Sequence, residues 1–172
     1  MIDRRLLVHA VKETKKPTCT FSIQTPYLPR LCCYEQEAFA LAQALNLEVL
    51  TWRDSDGWMT ACVGVASQRA AEILKDAPKF FAEFPLSTLP LLIDDLTGLS
   101  PAHAVAVLER GHKTPEAAAC LGLLFGFPVC CIHYFLNTRH FGAEWEQRTF
   151  TDVGYVQCED CFRKNRKPPW FS

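Results

Sequence analysis

Cys158-Glu159-Asp160-Cys161 and Cys130-Cys131 are the residue groups whose types and spacing best suit chemistry. Two thiolates spaced C-x-x-C can grip one metal from a tight turn, as in half of a tetrathiolate zinc site or in an iron–sulfur site. Such a turn needs two further ligands. Cys130-Cys131 can supply them, because it follows a Gly-x-Pro break at Gly126–Pro128 where a helix should start. Adjacent residues diverge by roughly 100° around a helix, so neighbouring cysteines in mid-helix would not face one ion. In the first turn that constraint relaxes, and the exposed N–H groups and dipole there favour thiolate over thiol. The expected metal site is therefore Cys130, Cys131, Cys158 and Cys161.

Two other readings stand beside it. Cys131, Ile132, Phe135 and Leu136 also form an apolar helix face, and free cysteine is a common core residue. The C-x-x-C could instead cycle between dithiol and disulfide. Cys32-Cys33 is a second adjacent pair, also following a proline and preceding a helix, and is a further candidate for ligation. His133, three residues after Cys130 and on its helical face, could replace a cysteine or support one from outside, with His140 beyond it. Cys62 within a strand and Cys120 within "EAAACLGLLF" read as core, and Cys19 carries no signal of its own. His103 and His112 fall on and at the end of one helix, where the dipole accounts for them.

Four thiolates suit Zn2+ or a [4Fe–4S] cluster equally by ligand type. Cys-Cys is a poor copy of the second C-x-x-C that zinc favours, whereas a cluster spreads its irons over less regular spacing. Aromatic residues Phe125, Phe127, Tyr134, Phe135, Phe141 and Trp145 could also shield a cluster from water. The expectation therefore leans to iron–sulfur.

Residues 121–135, "LGLLFGFPVCCIHYF", resemble the Gly-Tyr/Phe-Pro-x-Cys-Cys signature of a poorly characterised, mainly prokaryotic domain-of-unknown-function family. There an apolar helix precedes the motif and another cysteine group follows, to which Cys158 and Cys161 would correspond. The resemblance implies that Gly126, Pro128, Cys130 and Cys131 act as a unit. It implies no activity.

The elements that must carry these residues read as α+β. Residues 5–11 ("RLLVHAV") and 19–24 ("CTFSIQ") are expected as short strands, and Tyr34, Ala38, Leu41, Ala42 and Leu45 fall at helical spacing. "LEVLTWRD" and "WMTACVGVA" flank Ser55-Asp56-Gly57, a strand–turn–strand signal. A helix is expected from Ser67 as N-cap to a stop at Pro78, and "LPLLIDDL" as a buried strand ending at Asp94-Asp95, whose carboxylates read as a solvated strand end. Ser100-Pro101 and Thr114-Pro115 should each open a helix, ended by Gly111 and Gly126 in left-handed form. A third helix should run from Pro128 toward Arg139, leaving a loop-like remainder with a turn at Cys158–Cys161. The expected architecture is a small sheet with helices in residues 1–98, packed against a helical, cysteine-bearing 99–172. It reads as one domain, with a split near residue 98 as the alternative.

The whole-chain numbers limit what this can be. At 172 residues, 49% hydrophobic and 22% charged, the chain can build a core without disulfide staples, so nine cysteines point to ligands or thiols in a reducing compartment. No apolar run is long enough to span a bilayer, and the N-terminus lacks a signal-peptide h-region. A cytoplasmic location is expected, without membrane contact. Net charge is -1, so the whole chain has no attraction to nucleic acid. Locally, Arg163, Lys164, Arg166 and Lys167 could meet phosphates in a weak, salt-sensitive contact, with Trp170 or Phe171 stacking on bases. Equally, Trp170-Phe171 could fold back on the core. Glu144 and Glu146 read as surface, and no phosphate loop, nucleophile elbow or zinc-protease motif is present.

Three functions remain. The leading one is a cytoplasmic protein holding an iron–sulfur cluster or zinc, with a protein or small molecule as partner. The alternatives are a thiol–disulfide oxidoreductase and a nucleic-acid-binding module led by the basic tail.

Overall fold

The computed structural model describes residues 3–23, 33–53, 59–111, 114–138, 156–168 and 170, and it opens on a helix rather than the expected strand. In α1 (Arg4–Lys12) the Asp3 side chain caps the N-terminus by accepting from Arg5 N. Leu7, Val8, Ala10 and Val11 are buried, a helical spacing, while Leu6 is exposed. An alternating strand face would have grouped Leu6 with Val8 and Ala10.

Three strands follow in the order β1 (Thr18–Ile23), β3 (Met59–Gly64), β2 (Glu48–Arg53), all antiparallel. The central β3 sets Cys62 opposite Thr20 on one side and Leu50 on the other. The period-2 alternation of strands sorts side chains to two faces. Ala61 and Val63 bury against α1 and α2 (Cys33–Ala44), while Cys62, Leu50 and Trp52 turn to the core formed by the later helices. The Ser55-Asp56-Gly57 turn lies outside the described residues.

Beyond the sheet the described elements are all helices, which makes the fold α+β. The stretch expected as one helix from Ser67 to Pro78 is two. α3 (Ala70–Leu74) is preceded by Arg69, whose side chain makes no cap, and α4 (Ala77–Phe80) takes Pro78 into its first turn. A proline there loses nothing, since first-turn N–H groups have no partner within the helix. The same reason overturns the strand at "LPLLIDDL". It is α5 (Leu89–Leu96), with Pro90 in the first turn and Leu89, Leu92 and Leu96 buried at helical spacing, so Asp94 and Asp95 lie on a helix.

α6 (Pro101–Gly111) and α7 (Pro115–Leu124) begin where expected, and Thr114 caps α7 by accepting from Ala117 N. Gly111 is the last residue of α6 rather than a left-handed stop; Gly126, at φ 71, does adopt that form. α8 (Val129–Asn137) starts after Pro128, and α9 (Glu159–Arg163) stands where a turn was expected. α8 lies close on α7 because Gly122 has no side chain: a Cβ there would meet Ile132 Cγ1 and Cδ1 at 2.8 Å. No helix among the described residues is long and apolar enough to cross a membrane.

Candidate metal centre

The turn between α7 and α8 is what places the first two thiols. Gly126 N donates to Leu123 O and Phe127 N to Gly122 O, both at 2.9 Å, closing the end of α7 in a left-handed termination. The carbonyls left over at a helix C-terminus need partners from elsewhere. Three distant residues supply them in succession. Thr18 Oγ1 donates to Leu124 O at 2.7 Å, Lys16 Nζ to Phe125 O at 2.7 Å, and Trp170 Nε1 to Gly126 O at 3.0 Å. Lys16 is only 4% exposed, and its ammonium lies 3.9 Å from the centroid of the Trp170 ring, with Phe127 and Phe125 further off. Burial, opposed by attraction to the Cys19 thiol, lowers its pKa to about 8. Trp170 therefore packs back on the core, the second of the two readings of the C-terminal aromatics.

Alanine at Gly126 should show how much this turn matters. The left-handed conformation disfavours a side chain, and the new Cβ would stand 3.1 Å from Pro17 Cδ and 3.3 Å from the Trp170 ring. Gly126→Ala should cost about 2 kcal/mol in urea unfolding, from αL strain plus the displaced contacts.

Pro128 ends the turn with extended backbone and acts as N-cap of α8, its carbonyl accepting from Cys131 N at 2.9 Å. Cys130 and Cys131 thus occupy the second and third helical positions, and their sulfurs stand 4.0 Å apart. On the other side Cys158 is the N-cap of α9, its Sγ accepting from Cys161 N at 3.5 Å. Cys158 N in turn donates to Cys131 Sγ at 3.4 Å, and Cys130 Sγ lies 3.6 Å from Cys161 Sγ. All four sulfurs fall within 4.8 Å of one another, an arrangement that could hold a metal ion. The four cysteines expected to form one site do come together.

Their surroundings differ. Cys131, Cys158 and Cys161 are 2%, 8% and 3% exposed and pack with Phe127 and Tyr134, whereas Cys130 is exposed. Burial raises the Cys131 thiol, with the neighbouring Cys130 and Cys158 adding to it and the Cys158 N–H opposing. Burial likewise, with hydrogen bonds among the thiols, pushes Cys161 up to about 12. At Cys158 burial is outweighed by the Cys161 N–H and by the surrounding thiols, and its pKa is lowered. The metal-free group therefore favours a Cys158 thiolate beside protonated Cys131 and Cys161, and a cation would displace their protons.

His133 lies apart from this group. His133 Nε2 is 2.6 Å from the Phe80 carbonyl oxygen and its ring sits between Phe81 and Phe84, so it joins α8 to α4. Cys33 opens α2, while Cys32, His112, His140, Phe141, Glu144, Trp145, Glu146 and Phe171 lie outside the described residues. Cys19, Cys62 and Cys120 are buried, and burial raises all three thiols. Arg163 pairs with Glu159, while Lys164 and Arg166 reach Asp160 at 2.5 and 3.3 Å, so these tail cations are paired with the acidic residues of the CEDC stretch. Lys167 is exposed.

The Lys16–Trp170 support carries no motif and could not be found from spacing. Nor could a cluster at the start of α6, where the Glu48 carboxylate accepts from Ser100 Oγ and both face His103 Nδ1, at 3.2 and 3.0 Å. One ring nitrogen serves both partners there, so the geometry is that of a helix cap and not of a nucleophile with its base and orienting acid. The chain matches no family model, no curated protein and no solved structure.

Proposed function

We propose that this chain binds one Zn2+ through Cys130, Cys131, Cys158 and Cys161, and that the ion pins the C-terminal segment onto α8. The observation that carries this reading is the spacing of the sulfurs. A tetrahedral zinc with Zn–S of about 2.3 Å has sulfurs about 3.8 Å apart. The separations of 3.6 and 4.0 Å, within an overall limit of 4.8 Å, support a single ion. A [4Fe–4S] cluster seats each thiolate on a different iron at the corners of a cube, which requires sulfurs further apart. The sequence-level lean to iron–sulfur thus gives way to zinc as the proposal. Four protein ligands leave no open position, the mark of a structural zinc site. The function is that of a metal-stabilised interaction module, working in the cytoplasm or another compartment that keeps thiols reduced. The short resemblance at residues 121–135 is compatible with it and adds the proposal that the turn and its two cysteines form one functional unit.

Metal analysis together with an absorption spectrum, on protein purified without oxygen, tests this. One zinc per chain and a colourless sample are expected. A broad band near ~400 nm with about four irons would replace zinc with a cluster. A metal-free chain with all cysteines titratable would sink both.

A further inference from the structure

Resting on the zinc reading, we propose that Cys130 is an oxidation site through which a peroxide releases the metal, leaving a Cys130–Cys161 disulfide. The four sulfurs are not equivalent to a reagent in water. Three are enclosed by one another and by Phe127 and Tyr134, and Cys130 alone of the four is exposed. A peroxide therefore meets Cys130 first. Its reaction partner is then decided by distance and chain geometry. Cys161 Sγ stands at 3.6 Å, on a separate element. Cys131 Sγ stands at 4.0 Å but belongs to the next residue in a helix. Adjacent Cα atoms are about 3.8 Å apart across a trans peptide, short of the ~4.4 Å lower end of the disulfide range. The vicinal bond is thus strained, and the bond to α9 is not subject to that limit.

The chemistry balances with hydrogen peroxide as the oxidant. The Cys130 thiolate attacks one peroxide oxygen, forming S–O as O–O breaks, and hydroxide leaves; Cys130 is now a sulfenic acid. The Cys161 thiolate attacks that sulfur, forming S–S as S–O breaks, and a second hydroxide leaves. Two thiolates have lost two electrons, peroxide has gained them, and both hydroxides become water by taking protons from the buffer acid. The zinc keeps only Cys131 and Cys158, too few to hold it. α9 changes from a metal-clamped element to one tied by a single covalent link, and a thiol reductant with zinc restores the first state.

The test uses the full chain with its zinc content measured beforehand. Hydrogen peroxide is added, zinc release is followed with a chromogenic chelator, and disulfides are mapped by mass spectrometry after alkylation of free thiols. The expected result is release in step with a Cys130–Cys161 crosslink, reversed by a thiol reductant plus zinc. Cys130→Ser should slow peroxide-driven release by about tenfold, having lost the accessible thiolate, while Cys120→Ser should leave it unchanged. Should Cys130→Ser fail to load zinc, the crosslink map of the unaltered chain still decides. A first crosslink between Cys158 and Cys161, or zinc release with Cys130 unmodified, overturns the proposal. A chain that carries no zinc defeats the zinc reading separately, since the identity of the first crosslink is read from mass alone.

Discussion

Replacing Cys158 and Cys161 together by serine should abolish metal binding and free residues 156–168 from α8 while the rest of the fold stays intact. The reasoning starts from what holds α9. It has five residues, and an isolated helix of that length does not persist in water. Its buried side chain is Cys161, which among the described residues packs with Cys158 on Cys131, Phe127 and Tyr134. That is a small apolar contact beside the two large clusters on either side of the sheet. Its other ties include the Cys158 N–H to Cys131 Sγ bond, the Cys130–Cys161 sulfur contact and ion pairs within α9 and its flank, which are exposed and weak. Structural zinc in small peptides contributes on the order of 10 kcal/mol of folding free energy. Most of the attachment should therefore come from the ion. Limited trypsin digestion reads this directly, because Arg163, Lys164 and Arg166 are all possible cut sites. Cleavage there should rise by about tenfold or more in the double variant, following the larger open population. A zinc chelator acting on the unaltered chain should do the same. Cys120→Ala serves as control: it opens a core cavity, yet it should keep its zinc. Unchanged digestion after metal loss would mean that side-chain packing holds α9 and that the ion does not.

The four-cysteine group was legible in the sequence because C-x-x-C and a Cys-Cys pair at a Gly-x-Pro break are local signals, each tied to a turn whose chemistry is visible in neighbouring residues. The α6, α7 and α8 starts were legible for the same reason: Pro101, Pro115 and Pro128 mark them. What misled was also local. "RLLVHAV" and "LPLLIDDL" are short, apolar and rich in residues that suit either element, and over seven or eight positions periodicity does not separate helix from strand. Asp3 as a cap and Pro90 as a first-turn proline would have decided both for helix. The sulfur separations lay further from reach, since no spacing rule supplies them. The three caps on the α7 carbonyls are wholly tertiary. Lys16, Thr18 and Trp170 come from opposite ends of the chain, and nothing in their neighbourhoods announces a common target.

Lys16 gives that tertiary support a measurable signature, and Lys16→Met is expected to remove it. In the fold the ammonium is almost wholly enclosed, and burial lowers its pKa from 10.5 to about 8. The Phe125 carbonyl and the aromatic faces of Trp170, Phe127 and Phe125 favour the charged form, but they do not replace bulk water. Between pH 8 and 10.5 the unfolded chain holds a proton at Lys16 that the folded chain has released, so stability rises with pH across that window. The contribution is complete above 10.5 and lost as pH falls through 8. One proton corresponds to about 1.4 kcal/mol per pH unit where the difference is complete. Other groups titrate over the same range, including the thiols. The difference between the unaltered chain and Lys16→Met cancels what the two share. Urea unfolding from pH 7 to pH 10 should therefore show the unaltered chain gaining on the variant by about 2 kcal/mol, nearly all of it above pH 8. Methionine keeps the length of the side chain but leaves Phe125 O without its donor, so the variant should also bind zinc more weakly at pH 7. A stability difference flat with pH would show that the carbonyl and rings hold the ammonium as well as water does. Weaker zinc binding together with the pH slope would place Lys16 as the residue through which the start of the chain positions Cys130 and Cys131.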